Sequence, residues 1–292
     1  MTTDWCTTET ISEWMALYKW LKRYTKDPGK EQWAFRGHRD SGWKLKTQIE
    51  RLRCRFGVDW EDLPNCELKL FREFRRRAHI YYPNPPKKRD HLGWLALLRH
   101  HEGATRLLDF TYSPFVATYF ALEDADEDAA VWAINKVWLR EEAKKVVTTH
   151  VEDGCKVYND FIIKRKGKSF DKIFWRTEPL RFAMGFAPMQ LNERLSLQQS
   201  VFLCPGDITA PFEDNLRAVE NGLKENVHKI IITHDSQTEI LERLRRMNVD
   251  RTTLFPGLDG FARSLNARFV EISRYPVAGL RQSLGIENSS TH

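Results

Sequence analysis

What most limits the folds open to this chain is an irregular interleaving of strand-length apolar runs with helix-period stretches. Gln32 to Gly37 (QWAFRG), Ala130 to Ile134 and Lys229 to Thr233 (KIIIT) read as strands. Helical spacing recurs in Thr10 to Tyr24 through Trp14, Leu17, Tyr18 and Leu21, and in Cys66 to His79 through Leu68, Phe71, Phe74 and Ala78. Leu92 to Arg99 reads as a buried helix, and Gln237 to Met247 as a further one. Ser113-Pro114 opens another, with Ser at the N-cap and Pro at the first helical position. A last helix starts near Leu258, Thr105 to Thr111 reads as extended, and the prolines of PNPPKK disfavour helix before them. The elements give no regular βαβ repeat, which predicts a mixed α and β domain rather than a bundle or a sandwich. Neither GxGxxG nor GxxxxGK[ST] occurs, so a Rossmann dinucleotide site and a P-loop lack support.

Composition narrows the class. Aromatic residues are 12% of the 292, enough for a large core, which excludes a disordered chain. No apolar run approaches a membrane span, and MTTDWCTTETISEW has neither a signal nor a transit pattern; the expectation is a cytoplasmic protein with no membrane partner. The five cysteines (Cys6, Cys54, Cys66, Cys155 and Cys204) are odd in number and form no CxxC. That disfavours a disulfide framework or a zinc ribbon and predicts reduced, mostly buried thiols. The net charge of +6 is carried in blocks: Arg72 to Arg77, Lys87 to Arg89 and Lys164 to Lys168, against one acidic run at Glu123 to Asp128. Basic blocks suit a polyanion such as RNA or DNA, and any one of them equally suits a solvated face.

Three segments place polar groups inside apolar stretches. In Trp33 to His38, Arg36 needs a carboxylate or phosphate partner, or a salt bridge on an edge strand. Gly37 allows a turn or the close approach of a ligand. In His100 to Pro114, the period of two puts Thr105 and Asp109 on one face, and likewise Thr111 and Ser113. Arg106 and Asp109 read as a structural pair. His100 and His101 could ligate a metal, but adjacent histidines point apart on a strand and no HExxH accompanies them, so no metal site is predicted. In Arg194 to Phe202, Gln198 must find hydrogen bonds, and its amide suits a sugar or a base edge.

In this order the segments resemble the FRG domain family: Phe35-Arg36-Gly37, then Thr105 to Thr111 with Ser113-Pro114 and Phe120-Ala121, then Arg194 with Gln198-Gln199 and Phe202, then Leu254 to Gly260. The resemblance covers about Trp33 to Leu265, with departures at Arg99, where the family often has Gln, and Ser200, where it often has Gly. It implies an α+β fold with a mixed, mainly antiparallel sheet core and surrounding helices, similar in layout to ADP-ribosyltransferases. It implies an N-terminal helical segment at 1–30 packed on the core, the FRG domain at 31–275 and a tail at 276–292. The implied function is a toxin-like ADP-ribosyltransferase of bacterial stress or phage defence. It would move ADP-ribose from NAD to a macromolecule such as RNA or DNA, with an antitoxin protein as partner. Carried over, Arg36, Asp109 and Gln198 are the catalytic candidates, and Arg36, Gly37, His100, Thr105, Arg106, Thr111 and Ser113 bind NAD. Cleaving the nicotinamide–ribose bond calls for a carboxylate, from Asp109, Glu102 or Glu193. Two other readings stay open: a non-catalytic nucleic-acid- or nucleotide-binding module, and a metal-dependent nuclease using His100, His101 and Asp109.

Overall fold

A computed structural model describes residues 5–24, 32–164, 167–187, 193–219 and 221–267. Residues 1–249 form one compact unit and residues 250–292 a second. The first is built on a seven-stranded sheet of β1 (Thr7–Ile11), β2 (Trp33–His38), β3 (Leu108–Thr111), β4 (Ala129–Asn135), β5 (Ala183–Phe186), β6 (Ser200–Pro205) and β7 (Val227–Ile232). The spatial order is β1-β7-β4-β2-β3-β6-β5. Only the β1–β7 pair among the described strands is parallel, so the sheet is mixed and mostly antiparallel.

The helices of this unit are α1 (Trp14–Lys22), α2 (Gln48–Phe56), α3 (Leu63–Tyr81), α4 (His91–His100), α5 (Pro114–Leu122), α6 (Lys136–His150), α7 (Gly154–Lys164), α8 (Gly167–Phe174), α9 (Glu193–Leu197), α10 (Phe212–Arg217), α11 (Leu223–Asn226) and α12 (Gln237–Arg246). The second unit holds α13 (Arg251–Leu254), capped by Asp250, and α14 (Leu258–Ala267). The tail at 276–292 lies outside the described residues.

Helices cover both faces of the central strands, which is why β4 and β6 read as near-continuous apolar runs rather than alternating ones. At the β5–β6 end, alternate residues divide between two cores. Met184, Phe186, Phe202 and Cys204 face α3, α4, α7 and α8, whereas Ala183, Val201 and Leu203 pack with Phe212 and Leu216 of α10. α5 is buried almost all round because it lies on β2 and β4.

Several sequence expectations are corrected here. The stretch Thr10 to Tyr24 is not one helix: Thr7–Ile11 pairs with β7 as an edge strand, and the helix starts at Trp14. Trp20 is buried on α1 and Tyr18 is exposed. On α3, Leu68 is 42% exposed and Glu67, at 1%, holds the inward position. The segment Thr105 to Leu107 is irregular, and β3 begins only at Leu108. The thiols are free, but only Cys6 and Cys204 are buried; Cys54 on α2 and Cys155 on α7 are exposed. No described helix is long and apolar enough to cross a membrane.

Candidate functional site

The sheet has a seam. β2 pairs with β4 over six residues, from Trp33 opposite Asn135 to His38 opposite Ala130. Between β2 and β3, only Phe35 and Thr111 are paired. Where the ladder would continue, the Arg36 side chain intervenes: Nη1 donates to the Asp109 carbonyl at 2.6 Å and Nε to His38 Nε2 at 3.1 Å. The third nitrogen, Nη2, has no partner among the described residues.

Beside this seam is a cavity of about 470 Å³, in the size range of small-molecule and cofactor sites. β2 supplies Arg36 and Gly37, α2 supplies Gln48 and Arg51, and α4 supplies Arg99 and His100. Asp109 and Thr111 come from β3, and Arg194 with Gln198 from α9 and the turn after it. Arg39 and Glu102 complete its charged lining. Five guanidiniums therefore surround one cavity against two carboxylates. One carboxylate is already engaged, since Arg99 holds Asp109 Oδ2 through Nε and Nη2, both at 2.8 Å.

Charge density leaves its mark on these groups. Burial pulls Arg36 down to about 10; Asp109 opposes the shift, while Arg51 and Arg99 add to it. Arg51 is lowered by desolvation and then by Arg99, and its guanidinium has no ion-pair partner among the described residues. Burial lowers His100 to about 4, helped by His101 and Arg194, so the imidazole is neutral at pH 7. His38, beneath Arg36, is held neutral by burial and then by the Arg36 charge. An anion entering the cavity would relieve the mutual repulsion of Arg36, Arg51 and Arg99.

Of the sequence candidates, the fold gathers Arg36, Gly37, His100, Asp109, Thr111 and Gln198 around this cavity and leaves three elsewhere. Thr105 is fully buried, and its hydroxyl accepts from the Leu107 amide at 3.2 Å. Arg106 is also buried, and its partner is Glu67 rather than Asp109: Nε and Nη2 reach Glu67 Oε2 at 2.8 and 2.5 Å, and Nη1 reaches the Phe174 carbonyl at 2.8 Å. Ser113 caps α5 by accepting from the Val116 amide. Thr111, although at the cavity wall, spends its hydroxyl on the Gln198 carbonyl and the Ser113 amide, at 2.7 and 3.0 Å. The expected hydroxyl pair thus builds the junction of β3, α5 and β6.

Gly37 has a packing reason. A Cβ there would come within 2.2 Å of the Ala117 carbonyl and 2.5 Å of the Ala121 amide, so α5 can cross β2 this closely only over glycine. Glu193 does not line the cavity. His101 faces a different groove, beside Tyr82, and no cluster of three metal-ligating side chains occurs among the described residues.

Sequence patterning does not single out Gln48, Arg51 or Arg99 as site residues, although all three line the cavity. A signal for α2 was present: Thr47 and Glu50 form a capping box, which fixes the helix start and puts Gln48 and Arg51 one turn apart on one face.

Neither a curated protein nor a solved structure matches the chain. Residues 31–130 match the FRG domain. That span holds Phe35-Arg36-Gly37, α2, α4, β3 and α5, and therefore most of the cavity wall, whereas Gln198 and the Leu254 to Gly260 turn lie beyond it. The motif at the seam and four of the five cavity arginines fall inside that span, so it is residues 31–130 that this chain shares with the FRG domain.

Proposed function

We propose that the cavity binds NAD through its phosphates and that the chain transfers ADP-ribose to a macromolecule, as a toxin-like enzyme of the cytoplasm. The observation that carries this reading is the set of five arginines around one cavity, with Arg36 Nη2 and the Arg51 guanidinium uncommitted among the described residues. Planar guanidiniums bind pyrophosphate oxygens through paired, charge-assisted hydrogen bonds. NAD brings a glycosidic bond whose cleavage leaves positive charge on the ribose.

In this mechanism Arg36 and Arg51 hold the phosphates. Asp109, with Oδ2 fixed by Arg99 and Oδ1 unpartnered among the described residues, supplies negative charge at a set position. Gln198 is buried at the wall and orients ribose or acceptor by hydrogen bonding. His100, neutral at pH 7, accepts or donates one hydrogen bond without adding repulsion.

The test is incubation with adenylate-labelled NAD and total RNA, DNA or cell extract. Label should pass to one acceptor class with the wild-type chain and not with Arg36→Ala or Asp109→Asn. A second reading, nucleotide binding without turnover, draws on the Asp109–Arg99 pair, which neutralises the carboxylate most favourably placed. Calorimetric NAD binding that Arg36→Ala weakens, with no label transferred to any acceptor, would select it.

A further inference from the structure

The described residues of the three basic blocks lie on adjacent elements, and none of them lines the arginine cavity. Arg75 of α3 donates to the Lys88 carbonyl at 2.9 Å, which ties the first block to the second. At Gly167, the start of α8, a Cβ would lie 2.2 Å from the Arg89 carbonyl, so the third block abuts the second. Between α3 and the 86–91 segment runs a groove of about 730 Å³. Its floor is the partly exposed Pro86 and Trp175, with Phe71 and Trp94 buried beneath Arg75, and its rim is Arg72, Arg75, Arg76 and Lys88, with Leu68 and His91 completing the lining.

Little of this charge is cancelled. Glu73 takes Arg76 and Arg77, Asp160 takes Lys164, and Asp171 takes His91. Arg72, Lys87, Lys88, Arg89 and Lys168 have no carboxylate partner among the described residues. Arg75 lies over the Phe71 and Trp94 rings, 5.2 and 5.4 Å from their centroids, which fixes a cation at the groove edge.

We propose that this groove binds single-stranded nucleic acid, phosphates against the Arg72–Lys88 rim and unpaired bases against the Trp175 and Pro86 floor. A cationic rim over an aromatic floor suits unpaired strands because every base offers a π face, whereas a duplex keeps its bases stacked inside. The proposal stands apart from the NAD reading, since strand binding needs neither the cavity nor turnover.

The experiment is fluorescence anisotropy with a labelled uridine oligomer of about 12 nucleotides, a deoxythymidine oligomer, a duplex of the same length and phosphatidylserine vesicles as arms. Saturable binding of either single strand is expected, with log K falling against log salt at a slope of about −2 to −3, as for three or four phosphate contacts. Arg72→Ala and Lys88→Ala should each weaken it several-fold and flatten the slope by about 0.7. Both side chains are exposed, and an unchanged melting temperature confirms folding. Arg36→Ala should leave strand affinity unchanged. Absence of saturable binding at low salt would overturn the proposal. So would duplex or vesicles held as tightly as single strands, full retention in both rim variants, or loss in Arg36→Ala.

Discussion

Phe35, Arg36 and Gly37 are adjacent, and each does a different job. Phe35 is 2% exposed in the core, Arg36 bridges the seam and lines the arginine-rich cavity, and Gly37 lets a helix pass. Because Arg36 Nη1 also holds a backbone carbonyl, its replacement has two effects that Lys can separate. Under the proposed NAD reading, Arg36→Ala should weaken NAD binding by about 10- to 100-fold, the scale of one or two charged hydrogen bonds. Arg36→Lys should recover part of the affinity but not the bridge; titration calorimetry checks both. Glu67 is the other decisive residue. Its carboxylate holds Arg106 at two nitrogens and also accepts from Trp175 Nε1 at 3.0 Å. Glu67→Ala leaves a fully buried guanidinium uncompensated and should cost about 3–5 kcal/mol in urea unfolding. An acid at that point in the apolar stripe between Leu63 and Phe71 was a visible sign of a buried partner. Arg106 read as a pair with Asp109 because spacing along one segment cannot show that α3 packs alongside it.

At the scale of elements, α5 crosses β2 with no room for a side chain at Gly37. Gly37→Ala places a methyl group against backbone on two sides, and backbone cannot rotate away as a side chain would. The expected result is a loss of about 1–3 kcal/mol together with weaker ligand binding, because α5 and β3 must shift. Thermal melts and calorimetry on the same sample check it. Element type was legible wherever periodicity or capping chemistry was strong: β2, β4, β7, α4, α12, and α5 with its Ser113-Pro114 start. β1 was not, because TTETI is polar and becomes a strand only by pairing with β7 at the sheet edge. Gln198 was legible as a polar intrusion, but Arg51 and Arg99 were not. Each sits on a helix as an ordinary outward-facing arginine, and only the fold brings them to one cavity.

For the whole molecule, buried carboxylates set an acid dependence of unusual sign. Glu50, in the joint between α2 and α10, accepts from the Thr47 and Phe212 amides at 3.3 Å and is raised to about 6 by burial. Those amides and Lys46 oppose the shift, and Glu213 adds to it. A carboxyl whose pKa is raised on folding favours the native state below its unfolded value, and that stability is lost as pH climbs through about 6. Glu50→Gln should therefore raise the melting temperature at pH 7 by about 2–4 °C and leave it unchanged at pH 4. Differential scanning calorimetry at the two pH values reads this directly.

The single paired position between β2 and β3 has a mechanical meaning as well. It divides the sheet into two hydrogen-bonded groups of strands, β1-β7-β4-β2 and β3-β6-β5, which beyond that pair are joined by the Arg36 bridge to the Asp109 carbonyl and by a shared apolar core that includes Ala34, Leu108 and Leu203. A ligand that recruits Arg36 draws on the same side chain that bridges the seam to β3. Occupancy should therefore change the exposure of the β3 backbone, and deuterium uptake around Asp109 should respond to ligand while uptake along the β4–β7 ladder stays constant.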